Sequence, residues 1–140
     1  MGGGLQQLGF AAVPPGDAAR LVNEETLVVV MIESPQGVAN AEAIAAVPGI
    51  DALLIGTNDF CFECGIPGQF NDPKVADAYK KVIAACRKHG KFPGMGGMYT
   101  PELLERHINM GVQLVLCGSD FSLLMQAATA RAGLVKGYQK

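Results

Sequence analysis

Glu33 and Asp59 are the residues whose types and surroundings point most directly to chemistry. Each stands where an apolar run gives out: Leu27 to Ile32 runs into Glu33, and Ala52 to Ile55 leads through Gly56-Thr57-Asn58 into Asp59. If the two runs are strands of one βαβ unit they lie parallel. Both acids then stand at carboxyl ends, the edge where open α/β sheets and α/β barrels place their sites. Two carboxylates held side by side repel each other unless a positive charge lies between them. A hard divalent cation, Mg²⁺ or Mn²⁺, meets that need, because it takes oxygen ligands and keeps positions for water or substrate oxygens. The plainer reading makes Glu33 a surface acid near a helix start and Asp59 a turn residue, and spacing alone leaves both open. Gly56, Thr57 and Asn58 complete the candidate site. A glycine leaving the strand lets the backbone N–H groups of Asn58 and Asp59 face a pocket, where they can hold a carboxylate beside the metal.

The elements that must position these residues follow from periodicity and punctuation. Leu27 to Ile32 is valine-rich and apolar throughout, as suits a strand covered on both faces. Ser34 offers a hydroxyl as helix N-cap, with Pro35 at the first helical position. Val38, Ala41, Ile44 and Ala45 then form one apolar stripe before Pro48-Gly49 ends the helix. Asp59 and the cysteines after it read as loop. Asp72 and Pro73 start the next helix, which runs to about His89. Val75, Tyr79, Val82, Ile83 and Cys86 line its covered face, its last turn is basic, and Gly90 is its C′ residue. His89 belongs to that cap. Lys91 to Met95 reads as a third strand.

Gly94-Met95-Gly96-Gly97 reads as a tight strand-to-helix turn in preference to a phosphate cradle, since no Lys-Ser/Thr follows it and no ribose-binding acid comes after it. Thr100-Pro101 opens a helix with Leu103, Leu104, His107, Ile108 and Met110 on its covered side and Gly111 at its end. His107 reads as a satisfied core or rim histidine. Val112 to Cys117 is the fourth strand, Gly118-Ser119-Asp120 its turn and cap. The last helix, Asp120 to about Val135, is apolar on several sides and reads as a subunit contact. Residues 1–26 form a loop, a short helix from Asp17 to Val22, and a lead-in. Residues 27–140 are four βα units in strict alternation, which requires a parallel sheet with right-handed crossovers. Four units are half of an eight-stranded barrel, or a small open sheet.

The totals agree with one α/β domain over residues 1–140, below the usual size of a closed eight-stranded barrel. The hydrophobic share is 49% and the charged share 17%, so much of the chain expects cover. A net charge of −2 argues against a nucleic-acid partner. No apolar run approaches a membrane span, and the N-terminus lacks the blocks of a signal peptide, which places the expectation in the cytoplasm. Cys61 and Cys64 form a lone CxxC with no second pair. With Cys86 and Cys117 they read as reduced structural thiols, the last two buried.

With those residues in view, the chain resembles the HpcH/HpaI aldolase family, which includes 4-hydroxy-2-oxoheptanedioate aldolase and is akin to the citrate lyase β-type enzymes. The resemblance is carried by Asn23-Glu24-Glu25-Thr26, Ile32-Glu33-Ser34, Val47-Pro48-Gly49-Ile50-Asp51 and Ile55-Gly56-Thr57-Asn58-Asp59, with Cys86-Arg87-Lys88-His89-Gly90-Lys91 and Gly118-Ser119-Asp120 in support. It implies the second half of a (β/α)₈ TIM barrel and a class II aldolase, oligomeric through an exchanged last helix.

It also implies that Glu33 and Asp59 hold Mg²⁺ or Mn²⁺ (Co²⁺ being a further option) and that Gly56, Thr57 and Asn58 help to hold pyruvate. Pyruvate and an aldehyde are the products of cleaving a 4-hydroxy-2-oxo acid, and a cation stabilises the enolate oxygen that cleavage leaves. Two departures follow. The family's glutamine two residues before the metal-binding Glu is Met31 here, which cannot donate a hydrogen bond. The family's catalytic His and pyruvate-binding Arg belong to the first half of the barrel, which would precede Met1, so no residue of this chain is expected to be catalytic. The alternatives are a half barrel that binds metal or keto acid without catalysis, or only assembles, and an acyl-CoA lyase of the citrate or malyl type.

Overall fold

The computed structural model describes residues 6–138. Four parallel strands, β1 (Val29–Ile32), β2 (Ala52–Gly56), β3 (Phe92–Gly96) and β4 (Leu114–Val115), form one sheet in the order β1-β2-β3-β4. Sequence neighbours are therefore spatial neighbours, joined each time through helix, as expected of βα units. Helix α1 (Pro15–Glu25) precedes β1. The first crossover is broken at Asn40 into α2 (Pro35–Ala39) and α3 (Ala41–Ala45), where a single helix was expected. Helices α4 (Thr57–Glu63) and α5 (Pro73–His89) join β2 to β3, α6 (Pro101–Met110) joins β3 to β4, and α7 (Asp120–Lys136) ends the chain.

The punctuation residues act largely as their chemistry dictates. Ser34 Oγ accepts from the Gly37 amide, and an Asp72 carboxylate oxygen accepts from the Lys74 amide at 2.8 Å. Gly90 and Gly111 close α5 and α6 at φ 65° and 117°, conformations that side chains disfavour. Several boundaries differ from the sequence reading. Helix α1 begins at Pro15 and continues to Glu25, past the expected end at Val22. Strand β4 spans two residues where six were expected, although the Leu116 amide still donates to the Met95 carbonyl. Within the expected Gly118-Ser119-Asp120 turn and cap, Ser119 caps α7, in a reciprocal box with Ser122.

The two faces of the sheet differ. Ile32, Leu53, Ile55 and Met95 point to the helices, where they meet Val75, Tyr79, Val82 and Cys86 of α5, the helix that crosses the centre of the core. Each of these is nearly or wholly removed from solvent. Lys88 of α5 pairs with Glu42 of α3, and the bond from Lys88 holds the Glu42 carboxyl below its usual range. The opposite face carries Met31, Leu54, Gly94, Gly96 and Leu116; Leu54 and the two glycines are buried, and Met31 and Leu116 are half exposed. The glycines there allow close approach: a Cβ on Gly94 would lie 3.2 Å from the Leu54 Cα and 3.1 Å from its Cβ, and one on Gly96 would press on Leu54 and Leu116. Gly94 lies within strand β3 as the strand reading had it, and the strand runs one residue further, to Gly96, which was read only as part of the turn.

Because the Gly94 contact is with backbone as well as side chain, it cannot be relieved by a rotamer change. Gly94→Ala is expected to lower stability by about 1–3 kcal/mol in urea unfolding.

Candidate functional site

The register of the first strand pair builds the site. β1 and β2 pair with Ile32 beside Ile55, so the residues that follow, Glu33 and Gly56, leave the sheet side by side at its carboxyl edge. Glu33 lies on the face without helices, with its carboxylate over Gly56. A Cβ at position 56 would stand 2.8 Å from Glu33 Oε1 and 2.9 Å from its Cγ, and 3.2 Å from Met31 Cε. Only a residue without a side chain leaves that space to the acid.

The chain then turns directly into α4, with Gly56 as N-cap and Thr57, Asn58 and Asp59 as its first turn. This corrects the reading of Asp59 and Cys61 to Cys64 as loop. The local signals for a helix here are weak: Thr57 and Asn58 are poor helix formers, and no side chain caps the start. Burial of Phe60 and Cys61 against the core supplies what propensity does not. The consequence matters for chemistry, because amides of a first helical turn have no intrahelical acceptor and point outward along the axis.

A pocket of about 210 Å³ is lined by Met31, Gly56, Thr57, Asn58, Asp59, Gly96, Gly97, Tyr99 and Leu116. Gly56 links the two acids: Glu33 lies over it, and Asp59 shares the pocket wall with it. The far wall comes from the loop after β3. Gly97, at φ +85°, packs on Asn58 so closely that a Cβ there would lie 2.8 Å from Asn58 Nδ2 and 3.2 Å from its backbone nitrogen. Of the residues singled out in the sequence, Gly56, Thr57, Asn58 and Asp59 line this pocket, and Glu33 lies over Gly56. Sequence reasoning missed Gly97 and Tyr99, and the GMGG run was the signal that could have found the first. Larger clefts of about 470 and 500 Å³ lie between helices on the outer surface, where Lys74, Asp77 and Lys81 flank one and Glu42, Lys81 and Lys88 the other.

Glu33 and Asp59 are both exposed, and carboxylates of this kind suit a hard cation that keeps its remaining positions for water or substrate oxygens. No group of three or more His, Cys, Asp or Glu side chains placed to hold a metal occurs among the described residues. A cation here would therefore rest on Glu33 and Asp59, with the rest of its shell supplied from solution.

Behind the pocket lies a small polar cluster. The buried Thr57 hydroxyl is 2.8 Å from the Tyr79 phenol, and the Tyr79 ring leans on His107 with centroids 4.3 Å apart. Burial pushes the Tyr79 phenol above its usual range, so it stays protonated. His107 Nδ1 donates to the Leu103 carbonyl oxygen at 2.7 Å, whereas Nε2 is buried with no partner. His107 is thus a core histidine that is only half satisfied. Burial holds it below its ordinary value, against the opposing pull of the Leu103 bond. His89 Nε2 also lacks a hydrogen-bond partner and lies 4.0 Å from a Glu42 carboxylate oxygen. Neither histidine lines the 210 Å³ pocket.

The four thiols are free. Cys61 and Cys86 are buried and burial raises their pKa, which keeps them protonated and unreactive. Cys117 is exposed, against the expectation that it was buried, because the short β4 leaves it beyond the sheet.

The HpcH/HpaI aldolase/citrate lyase family model matches residues 6–127. The chain is 44% identical over 110 residues to a 4-hydroxy-4-methyl-2-oxoglutarate aldolase of Chaetomium globosum, covering 77% of this chain and 41% of that protein. It is 37% identical over 142 residues to a hydroxypyruvate/pyruvate aldolase of Delftia acidovorans, covering 99% of this chain and 51% of that one. Among solved structures, a HpcH/HpaI aldolase/citrate lyase family protein from Burkholderia cenocepacia superposes with a TM-score of 0.78 at 28% identity, over 97% of this chain and 52% of its own. The chain spans about half the length of the relatives it matches, so its four βα units correspond to about half of a TIM-barrel protein.

Two outcomes are expected from this cluster. Tyr79→Phe leaves the Thr57 hydroxyl buried and unpaired and should cost about 1–3 kcal/mol in urea unfolding. His107 has a folded pKa below its unfolded value near 6.5. The unfolded chain therefore takes up the proton first, and stability is full above that value and declines as pH falls below it. Unfolding free energies measured from about pH 7 down to about pH 5 should fall in the wild type, and His107→Phe should remove part of that slope.

Proposed function

The chain belongs to the HpcH/HpaI aldolase/citrate lyase family, and from that membership we propose that it is the metal-binding half of a divalent-metal-dependent aldolase. The reaction class is carbon–carbon bond cleavage or formation on 4-hydroxy-2-oxo acids, with pyruvate as the keto-acid partner and an aldehyde as the other. The names of the relatives, aldolases of oxo acids, support the reaction class. The observation that supports the site is the Glu33 carboxylate lying over Gly56, a residue that lines one pocket with Asp59.

In this reading Glu33 and Asp59 hold Mg²⁺ or Mn²⁺, with Co²⁺ as a substitute. The cation supplies positive charge for the keto-acid oxygen that becomes negative as the carbon–carbon bond breaks. Asn58 and the first-turn amides of α4 hold the substrate carboxylate, and Gly56 keeps the floor open for it. Met31 presents a thioether to the pocket where the family carries an amide, so the keto oxygen loses a hydrogen-bond donor there and depends more on the cation. Leu116 and Tyr99 bound the side on which the rest of the substrate extends. The proton-transferring groups are not among the pocket residues, so the chain alone is a weak catalyst or none. Helix α7, with no buried residue along its length, is the proposed subunit contact.

The test is titration of the 140-residue chain with Mn²⁺, read by electron paramagnetic resonance. Glu33→Gln and Asp59→Asn should each weaken binding by at least about tenfold, the loss of one charged ligand. Gly56→Ala should weaken it as well, because the added methyl meets the Glu33 side chain at its Cγ and Oε1 and displaces the carboxylate. Unchanged titration curves in all three variants would overturn the metal reading. Pyruvate release from a 4-hydroxy-2-oxo acid with Mg²⁺ then measures how much catalysis this half retains.

A further inference from the structure

We infer that the cleft bounded by α2, α4 and α5 is a binding site for a small amphiphilic acid, one carboxylate on an apolar body. The site is separate from the metal corner, because neither Glu33 nor Asp59 lines it. It is built wholly from residues 35–81, within the first βαβ unit and the helix that follows.

Spacing along α5 makes the hollow. Lys74, Ala78 and Lys81 stand at i, i+4 and i+7, so they form one stripe of the helix. The two lysines are two turns apart, about 10 Å along the axis. Between them Ala78 carries only a methyl, and a depression opens between two long side chains. Val38 of α2 and Phe60 of α4 line it as well and are buried, which gives it an apolar floor. Pro35 is exposed and Cys64 half-buried at its sides. The cleft measures about 470 Å³, within the roughly 300–1,000 Å³ usual for small-molecule sites.

The charges select the head group. Lys74 and Lys81 make no ion pair among the described residues, whereas Asp77, the acid that lines the cleft, pairs with Lys80 at 3.0 Å. The neighbouring cleft of about 500 Å³ shares Val38 and Lys81, but there Lys88 is neutralised by Glu42. Unpaired positive charge is therefore concentrated over the first cleft. No arginine lines it to grip a doubly charged head in two places, and a singly charged carboxylate suits two lysine ammonium groups. Lysine stems lie along apolar surface while their heads stay in water, so the hydrocarbon part of such an acid fits between the stems and the floor.

Cys64 supplies the readout. It lines the cleft, whereas the exposed Cys117 does not. Alkylation of the full 140-residue chain by iodoacetamide, followed by peptide mass spectrometry, measures both thiols in one sample. Octanoate at ten times its half-saturating concentration should slow the modification of Cys64 about tenfold, by occupancy, and leave Cys117 unchanged. Octylammonium, with the same body and the opposite charge, and propionate, with the same head and little body, should not protect. The Lys74→Gln/Lys81→Gln double variant alters two exposed positions. It should need at least about threefold more octanoate for equal protection, the loss of two exposed charge interactions. A Cys64 rate that octanoate does not change, or an equal slowing of Cys117, would overturn the inference. Protection by octylammonium or propionate to the same extent, or a double variant protected at the wild-type concentration, overturns it equally. Should the double variant fail to fold, the three ligands on the wild type decide.

Discussion

The arrangement at the carboxyl edge depends on one steric condition, the missing side chain at position 56. Parallel pairing sets Ile32 beside Ile55, so Glu33 and Gly56 emerge together. Any Cβ at 56 would occupy the volume that the Glu33 carboxylate fills. A second glycine works from the other side. Gly97 brings the loop after β3 onto Asn58, closing the pocket wall. Two adjoining strand ends are thus drawn to one point by the absence of atoms rather than by attraction between them. This geometry leaves polar groups exposed at the rim and apolar ones beneath.

Beneath that rim, α5 does the holding. Its buried face, Val75, Tyr79, Val82 and Cys86, meets Ile55 and Met95 of the central strands, and Tyr79 carries a hydroxyl into an otherwise apolar layer. That hydroxyl meets Thr57, the first residue of α4, so the helix that bears Asn58 and Asp59 is tied to the core at its first turn. The other flank of Tyr79 is His107, whose unpaired Nε2 is a cost the core tolerates. Local rigidity at the pocket is therefore a property of the core and not of the loops around it.

The same chain leaves apolar groups in water at Met31, Phe92 and Leu116 of the sheet and along the whole of α7. The HpcH/HpaI relatives carry about twice the length, in which a further half of the structure accompanies the units seen here.

Alternation of apolar runs with amphipathic stretches was enough to read four parallel βα units, because the two periods differ and glycine, proline and capping residues mark their borders. The acids at 33 and 59 and the glycine at 56 were legible for the same reason, since strand ends in such units share one edge. What the sequence could not disclose was set by contacts distant along the chain. Helix α4 forms over Thr57–Glu63, despite poor local propensity, because Phe60 and Cys61 find the core. The third strand extends past Met95 to Gly96, because Gly96 pairs with Gly56 of β2. Only the folded chain brings Gly97 to Asn58 and Tyr79 to Thr57. Pattern along a chain records which face of an element is covered, whereas the identity of the atoms that cover it depends on packing between elements, and that is decided in three dimensions.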